Sequence, residues 1–331
     1  MNGLSRFFNR EKRPATPVAA DRATVDDIRA CFRLLLGRDA NPEELAGHYS
    51  QAGQPLPGVV SGYLKSLEFA RRDLLRPPAS EIYIAERPAF RLYADANDAL
   101  IGRHVLDGSY EPEVEAVFRT ILRPGMAVID IGANIGFFSM LSASIVENSG
   151  HVLAVEPNAA NARMIEASRR LNGFGQVVTA QVAAGRGTSL LVLNVSHSNG
   201  TTSAPLDDPA TLLHAQTVAC VAVDALVDQG RRVNLVKLDA EGAEYNALLG
   251  AAALVARDRP VIITEFSPGL LRDISGIDGP SYLMWLCAQG YELSVIQPDG
   301  APVAMGRDTA AVMDAYVRRG TDHIDLLAMP A

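Results

Sequence analysis

Five acidic side chains stand at or near the ends of apolar, strand-like runs. They are Asp130 in VIDIGANIG, Glu156 in VLAVEPN, Asp239 and Glu241 in VKLDAEGAE, and Glu265 in VIITEF. Carboxylates so placed can accept hydrogen bonds from hydroxyls, take up a proton or hold a cation. Lys237 lies two residues before Asp239, and alternate residues of a strand share a face, so the two are placed to pair. Asp239 and Glu241 are candidates to orient or deprotonate a substrate hydroxyl, and Glu265 can join them. A divalent cation such as magnesium, held by Asp239 and Glu265, would serve the same end by lowering the hydroxyl's pKa. Both readings stay open at this level. His197 in the polar stretch SHSNGTTS is a candidate general base, with a plain surface position as its alternative. Glu244 reads as a solvated or capping helix residue.

The glycine turn after VID narrows the ligand. A dinucleotide fingerprint needs G-x-G-x-x-G after a strand. Here the order is Asp130, Gly132, Asn134, Gly136, with an acid where one glycine belongs. A carboxylate beside a pyrophosphate is repulsive. A phosphate-binding P-loop is excluded because no Gly-Lys-Ser/Thr follows. An acid beside a glycine turn suits a ligand with a cationic or hydroxylated head, and S-adenosylmethionine carries an amino group, a sulfonium and a ribose. Glu156 ends the next strand, where its carboxylate can accept from both ribose hydroxyls. The alternative is a buried turn in which Asp130 caps the following helix.

These residues need strands and helices to position them, and the sequence supplies an alternation. Strand-like runs cover 126–131, 151–156, 176–183, 233–239 and 261–266, and helical patterns cover 137–145, 159–171, 243–255 and 282–289. Such alternation predicts a mostly parallel, doubly wound α/β sheet with its ligand site at the C-terminal strand ends. YELSVIQ and IDLLAM read as two more strands joined by a long irregular connection, giving an antiparallel C-terminal edge. TSLLVLNV and the polar loop after it form an insertion suited to substrate contacts. Before the sheet, EIYIAERPAFRLYAD reads as a hairpin and EPEVEAVFRTIL as a helix. Residues 21–76 form a small helical domain: Thr24 and Asp27 make a capping box, Gly37 stops the first helix, Asn41 and Pro42 start the next, and a further helix from about 57 to 75 breaks near Ser66. RPPAS, Arg76–Ser80, is a stiff linker, and residues 81–331 form the second domain, with a lead-in over 81–123 and the core sheet from 124.

The 331-residue chain carries a formal net charge of −8, which argues against a nucleic-acid partner. Cys31, Cys220 and Cys287 are far apart and lack metal-site spacing, so they read as buried thiols in a reducing, cytoplasmic setting. The longest apolar stretch, ALLGAAALVA, is shorter than the ~18–20 residues that span a bilayer, so no transmembrane segment is expected. Residues 1–20 are basic without an apolar centre and read as a flexible tail rather than a secretory signal. A membrane-surface contact through Phe7, Phe8 and the arginines and lysine around them is the alternative.

VIDIGANIGFFS, VLAVEPNAANARMIEASRRLNG, VNLVKLDAEGAEYNALLGA and PVIITEF, in this order, resemble successive motifs of FkbM-type methyltransferases. LDGSYEPEVEAVFRTILRPGM is similar to that family's lead-in, and the resemblance covers roughly 82–329. It implies a Rossmann-like class I methyltransferase sheet, S-adenosylmethionine as methyl donor and oxygen methylation of a small molecule. By position it implies that Asp130, Gly132, Asn134 and Gly136 line the methionine end of the donor and Glu156 its ribose. In such enzymes an acidic or amide residue near the third strand's end meets the adenine, and here Gln181 is the polar candidate. The lead-in folds over the donor in that family, which implies a lid contact by Tyr110 and Glu111; a favourable helix start is the other reading of Glu111. LLLGRDANPEEL and YLKSLEFARR resemble a helical domain of unknown function found in bacterial surface-glycan and secreted-protein contexts. That likeness points to a sugar or polysaccharide-precursor acceptor, and to a protein partner or homo-oligomer through the helical unit. Competing readings are a non-catalytic adaptor and a nicotinamide-dependent oxidoreductase, the latter disfavoured by Asp130.

Overall fold

Thr24 accepts a hydrogen bond from the Asp27 amide while the Asp27 carboxylate accepts from the Thr24 amide, and the helix Val25–Leu35 starts on this reciprocal cap. Asn41 and Glu44 repeat the device for Pro42–His48. Ser66 ends one helix, Leu56–Leu64, and caps the next, Leu67–Arg71, so the break expected near Ser66 is real. Ile28, Phe32, Val59, Tyr63 and Phe69 close into a small core. Arg38 links this unit's segments through Glu44 at 2.8 Å and Glu68 at 2.6 Å.

The computed structural model describes residues 22–72, 81–196, 198–204 and 208–331. The chain divides into two compact units at residues 79 and 80, and the helical unit just described lies in the first. The expected tail, 1–20, and the linker Arg76–Ser80 lie outside the described residues. Among the described residues no helix is long and apolar enough to cross a membrane.

The second unit carries strands β1 (Ile82–Glu86), β2 (Arg91–Asp95), β3 (Ala127–Ile131), β4 (His151–Val155), β5 (Val177–Ala180), β6 (Ala183–Gly185), β7 (Ser189–Ser196), β8 (Asn199–Ser203), β9 (Thr217–Ala222), β10 (Leu235–Leu238), β11 (Val261–Phe266), β12 (Tyr291–Ile296), β13 (Pro302–Gly306) and β14 (Ile324–Pro330). Strands β1 and β2 form the expected hairpin. The main sheet has the order β13-β12-β14-β11-β10-β3-β4-β5. Strands β11, β10, β3, β4 and β5 pair in parallel, and β14 runs antiparallel to both β11 and β12. This is a Rossmann-like α/β fold with an antiparallel C-terminal edge. Every residue of β3 and β10 is buried, as expected of strands covered on both faces. From β3 the chain builds outward to β4 and β5, then returns to add β10 on the other side. The switch point, where such sheets open a ligand crevice, therefore lies between β3 and β10.

Three expectations are corrected. The run 176–183 is not one strand: β5 stays in the main sheet, and β6 joins a second sheet of order β6-β9-β7-β8 made by the insertion. The helix expected over 243–255 is two, Glu244–Leu249 and Ala252–Asp258. The break falls at Gly250, where a Cβ would sit 1.8 Å from the Gly185 carbonyl oxygen, so β6 crosses too close for a side chain. The connection between YELSVIQ and IDLLAM is ordered by β13 and the helix Thr309–Arg319. That helix buries Val312 alone, so its apolar period is faint in sequence.

The glycines after β3 answer to the protein's own packing. Gly132 has φ 76°, and a Cβ there would lie 1.6 Å from the Asp239 carbonyl oxygen. Gly136 has φ 93°, with a Cβ position 2.9 Å from Ile165 Cγ1. Gly132→Ala should therefore cost on the order of 3 kcal/mol in urea unfolding, combining left-handed strain with a clash against backbone. Gly173→Ala, with similar φ but nothing within 4 Å, should cost only about 1 kcal/mol. Equal losses at the two positions would refute the close-approach argument.

Candidate active site

The turn leaving β3 is tied to the end of β4. The Gly132 and Ala133 amides donate to the Val155 carbonyl at 3.0 and 3.1 Å, and the Asn134 amide donates to Glu156 Oε2 at 2.8 Å. Glu156 Oε1 accepts from the Asn158 amide at 2.7 Å and from Asn161 Nδ2 at 3.4 Å. Burial raises its pKa to about 7, against the charge-favouring bonds from Asn158 and Asn134. A carboxylate offers about four acceptor positions, so Glu156 keeps capacity for a ligand beyond its three donors.

A cavity of about 480 Å³ opens at the C-terminal ends of the parallel strands. Gly132, Asn134, Glu156, Pro157 and Asn158 form one wall, together with Val182–Ala184. The inserted hairpin contributes Leu193, Ser198–Gly200 and Thr202. It is latched there because the Ser198 carbonyl accepts from Asn134 Nδ2 at 3.3 Å and from Asn161 Nδ2 at 2.8 Å. Ser198 Oγ also bonds Asp98, whose carboxylate in addition accepts from the Leu100, Ile101 and Gly102 amides. Glu111, Asp239, Glu241, Glu265, Asp322 and His323 make a second, acidic wall.

That wall is organised by one buried cation. Lys237 is 4% exposed, donates to Asp239 Oδ2 at 2.7 Å and lies 4.7 Å from the centre of the Phe138 ring. Burial alone would lower its pKa, but Asp239, Glu111 and Asp130 outweigh that and raise it. Burial would likewise raise Asp239, but the charge of Lys237 and hydrogen bonds from Glu265 and Lys237 hold it below the usual carboxylate range. Two carboxyl groups bond each other only when one carries a proton. Burial and the Asp239 charge push Glu265 well up, which places that proton on Glu265. Burial lifts Glu111 to about 8, opposed by Lys237 and reinforced by Asp239 and Asp325. Asp325, paired in register with Glu265, is pushed to about 6 by burial and then by Asp239. Burial, then Asp239, raises Glu241.

The sequence candidates thus divide. Gly132, Asn134, Glu156, Glu111, Asp239, Glu241 and Glu265 meet around one cavity. Asp130 lies beneath it, fully buried, with Oδ2 accepting from Ser139 Oγ at 2.6 Å, and its pKa is raised by burial. Gly136 starts the helix Phe137–Val146 and does not face the cavity, and Lys237 acts from behind Asp239. Gln181 is exposed between β5 and β6, away from the cavity, where Val182–Ala184 form the wall instead. His197 lies outside the described residues. Among the described residues no three acidic, His or Cys side chains group to hold a metal ion, so the pair Asp239 and Glu265 expected to hold magnesium has no third such ligand. Sequence reasoning missed Asn161, Asp98, Asp322 and His323. The last two precede β14, and the antiparallel edge, already expected, is what brings that strand's start beside the end of β11.

Residues 130–293 match the family model of the Methyltransferase FkbM domain. Among solved structures, a methyltransferase FkbM from Methylobacillus flagellatus is similar at 16% identity over 68% of this chain and 52% of its own, with a TM-score of 0.39. The chain therefore spans about half the length of that relative. TYW2 of M. jannaschii in complex with AdoMet aligns at 13% identity over 76% of this chain and 87% of its own, TM-score 0.41. Aeropyrum pernix fibrillarin with natively bound S-adenosyl-L-methionine aligns at 13% identity over 77% and 85%, TM-score 0.38. No curated protein matches the chain.

Glu244 shows which acid near the site is structural. It is 2% exposed, and Oε1 accepts from the Ala240 and Gly242 amides at 2.8 and 3.2 Å, bracing the turn that carries Glu241. The capping reading of Glu244 fits this geometry; the solvated one does not. Burial raises its pKa to about 7, above its unfolded value, against those amide bonds. The native state therefore holds this proton more tightly, and its stabilising effect is full below the unfolded pKa and lost as pH rises through about 7. Glu244→Gln should gain stability relative to the natural protein between about pH 5 and 8, by up to about 3 kcal/mol. Denaturant titrations at the two pH values check it, and a constant difference would refute it.

Proposed function

We propose that this protein transfers a methyl group from S-adenosylmethionine to a hydroxyl oxygen of a sugar or similar small polyol. The supporting observation is a single cavity that sets a glycine turn and Glu156 against a wall of carboxyl groups, at the switch point of the sheet. The donor fits the residues present. Glu156 has acceptor capacity left for ribose hydroxyls, Val182–Ala184 and Leu193 give an apolar slot for a flat base, and carboxylates across the cavity suit a cation. Bound there, S-adenosylmethionine supplies an electrophilic methyl carbon on a sulfonium.

The chain's own residues do the rest. An acceptor hydroxyl held beside that carbon would lose its proton as a carbon–oxygen bond replaces the carbon–sulfur bond, with S-adenosylhomocysteine as the leaving group. Asp239, kept ionised by Lys237, accepts a hydrogen bond from the hydroxyl and orients it. Glu241 takes the proton, because its raised pKa makes it a better base than Asp239 at neutral pH. Glu265, carrying its proton, completes the hydrogen-bonded set. The N-terminal unit's resemblance to domains found in glycan contexts favours a sugar among the possible acceptors.

Calorimetry should detect S-adenosylmethionine and S-adenosylhomocysteine binding at micromolar concentration, and Glu156→Ala should weaken both at least about tenfold. Glu241→Gln should lower kcat roughly a hundredfold or more while leaving donor affinity within a few-fold. Lack of binding by either nucleoside would sink the reading.

A further inference from the structure

The wall facing the donor side has a one-sided chemistry. Glu111, Asp239, Glu241, Glu265 and Asp322 line it, and among the described lining residues of the whole cavity there is no lysine and no arginine. The nearest ammonium, on Lys237, is buried behind Asp239 and already bonded to it at 2.7 Å. The one basic side chain in the wall, His323, has its Nδ1 2.9 Å from Asp322 Oδ1, so its imidazole is matched by a carboxylate of its own. A phosphate, sulfate or carboxylate on the reacting part of an acceptor would meet the ionised Asp239 carboxylate among other acids, with no lysine or arginine in the lining to receive it. A hydroxyl meets the reverse situation, since ionised and protonated carboxyl groups stand side by side to accept from it and donate to it.

Resting on the methyl-transfer reading above, we infer that the acceptor presents an uncharged polyol to this cavity and that the protein discriminates against acceptors bearing an anionic group next to the methylated hydroxyl. The cavity works as a charge filter as well as a reaction site. The filter acts over the distance of direct neighbours, so an anionic group remote from the reacting ring is not excluded by it.

The test uses the full chain with methyl-labelled S-adenosylmethionine and matched pyranosides: a neutral hexoside, its 6-phosphate and its 6-carboxylate. The neutral member should be labelled with kcat/KM at least about tenfold above either anionic partner, a gap that narrows as ionic strength rises. Asp322→Asn removes one carboxylate at the mouth and should improve the anionic members relative to the neutral one a few-fold. Equal or faster labelling of the phosphate or carboxylate overturns the inference. So does labelling of no pyranoside by protein that binds the donor in calorimetry, an outcome that leaves the donor site standing. Failure to bind the donor at all would instead overturn the methyl-transfer reading, and this inference with it.

Discussion

Lys237 enters the interior on β10 and finds Asp239 at 2.7 Å, with Asp130 and Glu111 close enough to keep its charge favourable despite burial. Much of the acidic end of the sheet depends on that ammonium. A buried cation without partners would lose its proton, and buried carboxylates without a cation would gain theirs. Together they settle into a pattern in which Asp239 stays ionised while Glu265 and Glu111 move the other way. One strand residue thus sorts neighbouring acids into hydrogen-bond acceptors and donors. Its own neutral contact, the Phe138 ring, comes from the helix that follows the glycine turn, which couples the two walls of the cavity.

The same junction is mechanical. Strands β3 and β10 lie side by side, and the chain leaving β10 passes so near the turn leaving β3 that Gly132 has no room for a Cβ. The turn therefore serves close packing of two strand ends first, and the cavity is what that packing leaves open. Glu156 then fastens the turn to β4 through the Asn134 amide, so the residue facing a ribose also holds the loop beneath it. Loss of that carboxylate removes both functions together.

The periodic parts of this architecture were legible in the sequence. The βα alternation, the caps at Thr24 and Asn41, and the acids at strand ends all follow from local chemistry. Long-range crossings were not. Nothing local in QVVTAQVA says that the chain changes sheets after Ala180, because that depends on β9, whose Cys220 pairs with Ala183 from far along the chain. Gln181 reads as a polar residue within one continuous strand, and the sheet change leaves it exposed. His323 is hidden for a related reason: its sequence neighbours are unremarkable, and only the antiparallel pairing of β14 with β11 brings the start of its strand to the end of β11. Asp130 was correctly placed on β3, but alternation along a strand does not say which face looks into a cavity, and its carboxylate points to Ser139 instead.

Backbone strain adds an independent mark on the site. The non-glycine residues with positive φ among those described are Glu111, Asn134, Glu147, Glu241 and Arg259. Arg259 ends a helix in the left-handed conformation, a common way to stop one, whereas Glu147, at φ 58° and ψ −170° after another helix, is strained outside the cavity. Glu111, Asn134 and Glu241 all line the cavity, and of these only Asn134 is a residue type that tolerates positive φ readily. Glu111 is held at φ 38° directly before Pro112, where a proline disfavours compact conformations of its predecessor. Each such residue costs on the order of 1–3 kcal/mol, and packing that could relax them freely would do so. Their survival together on three separate elements means the surrounding structure fixes the direction in which each side chain enters the cavity. Two of the three are the acids on the acceptor wall, so the charge of that wall is built into the backbone as firmly as the glycine turn opposite.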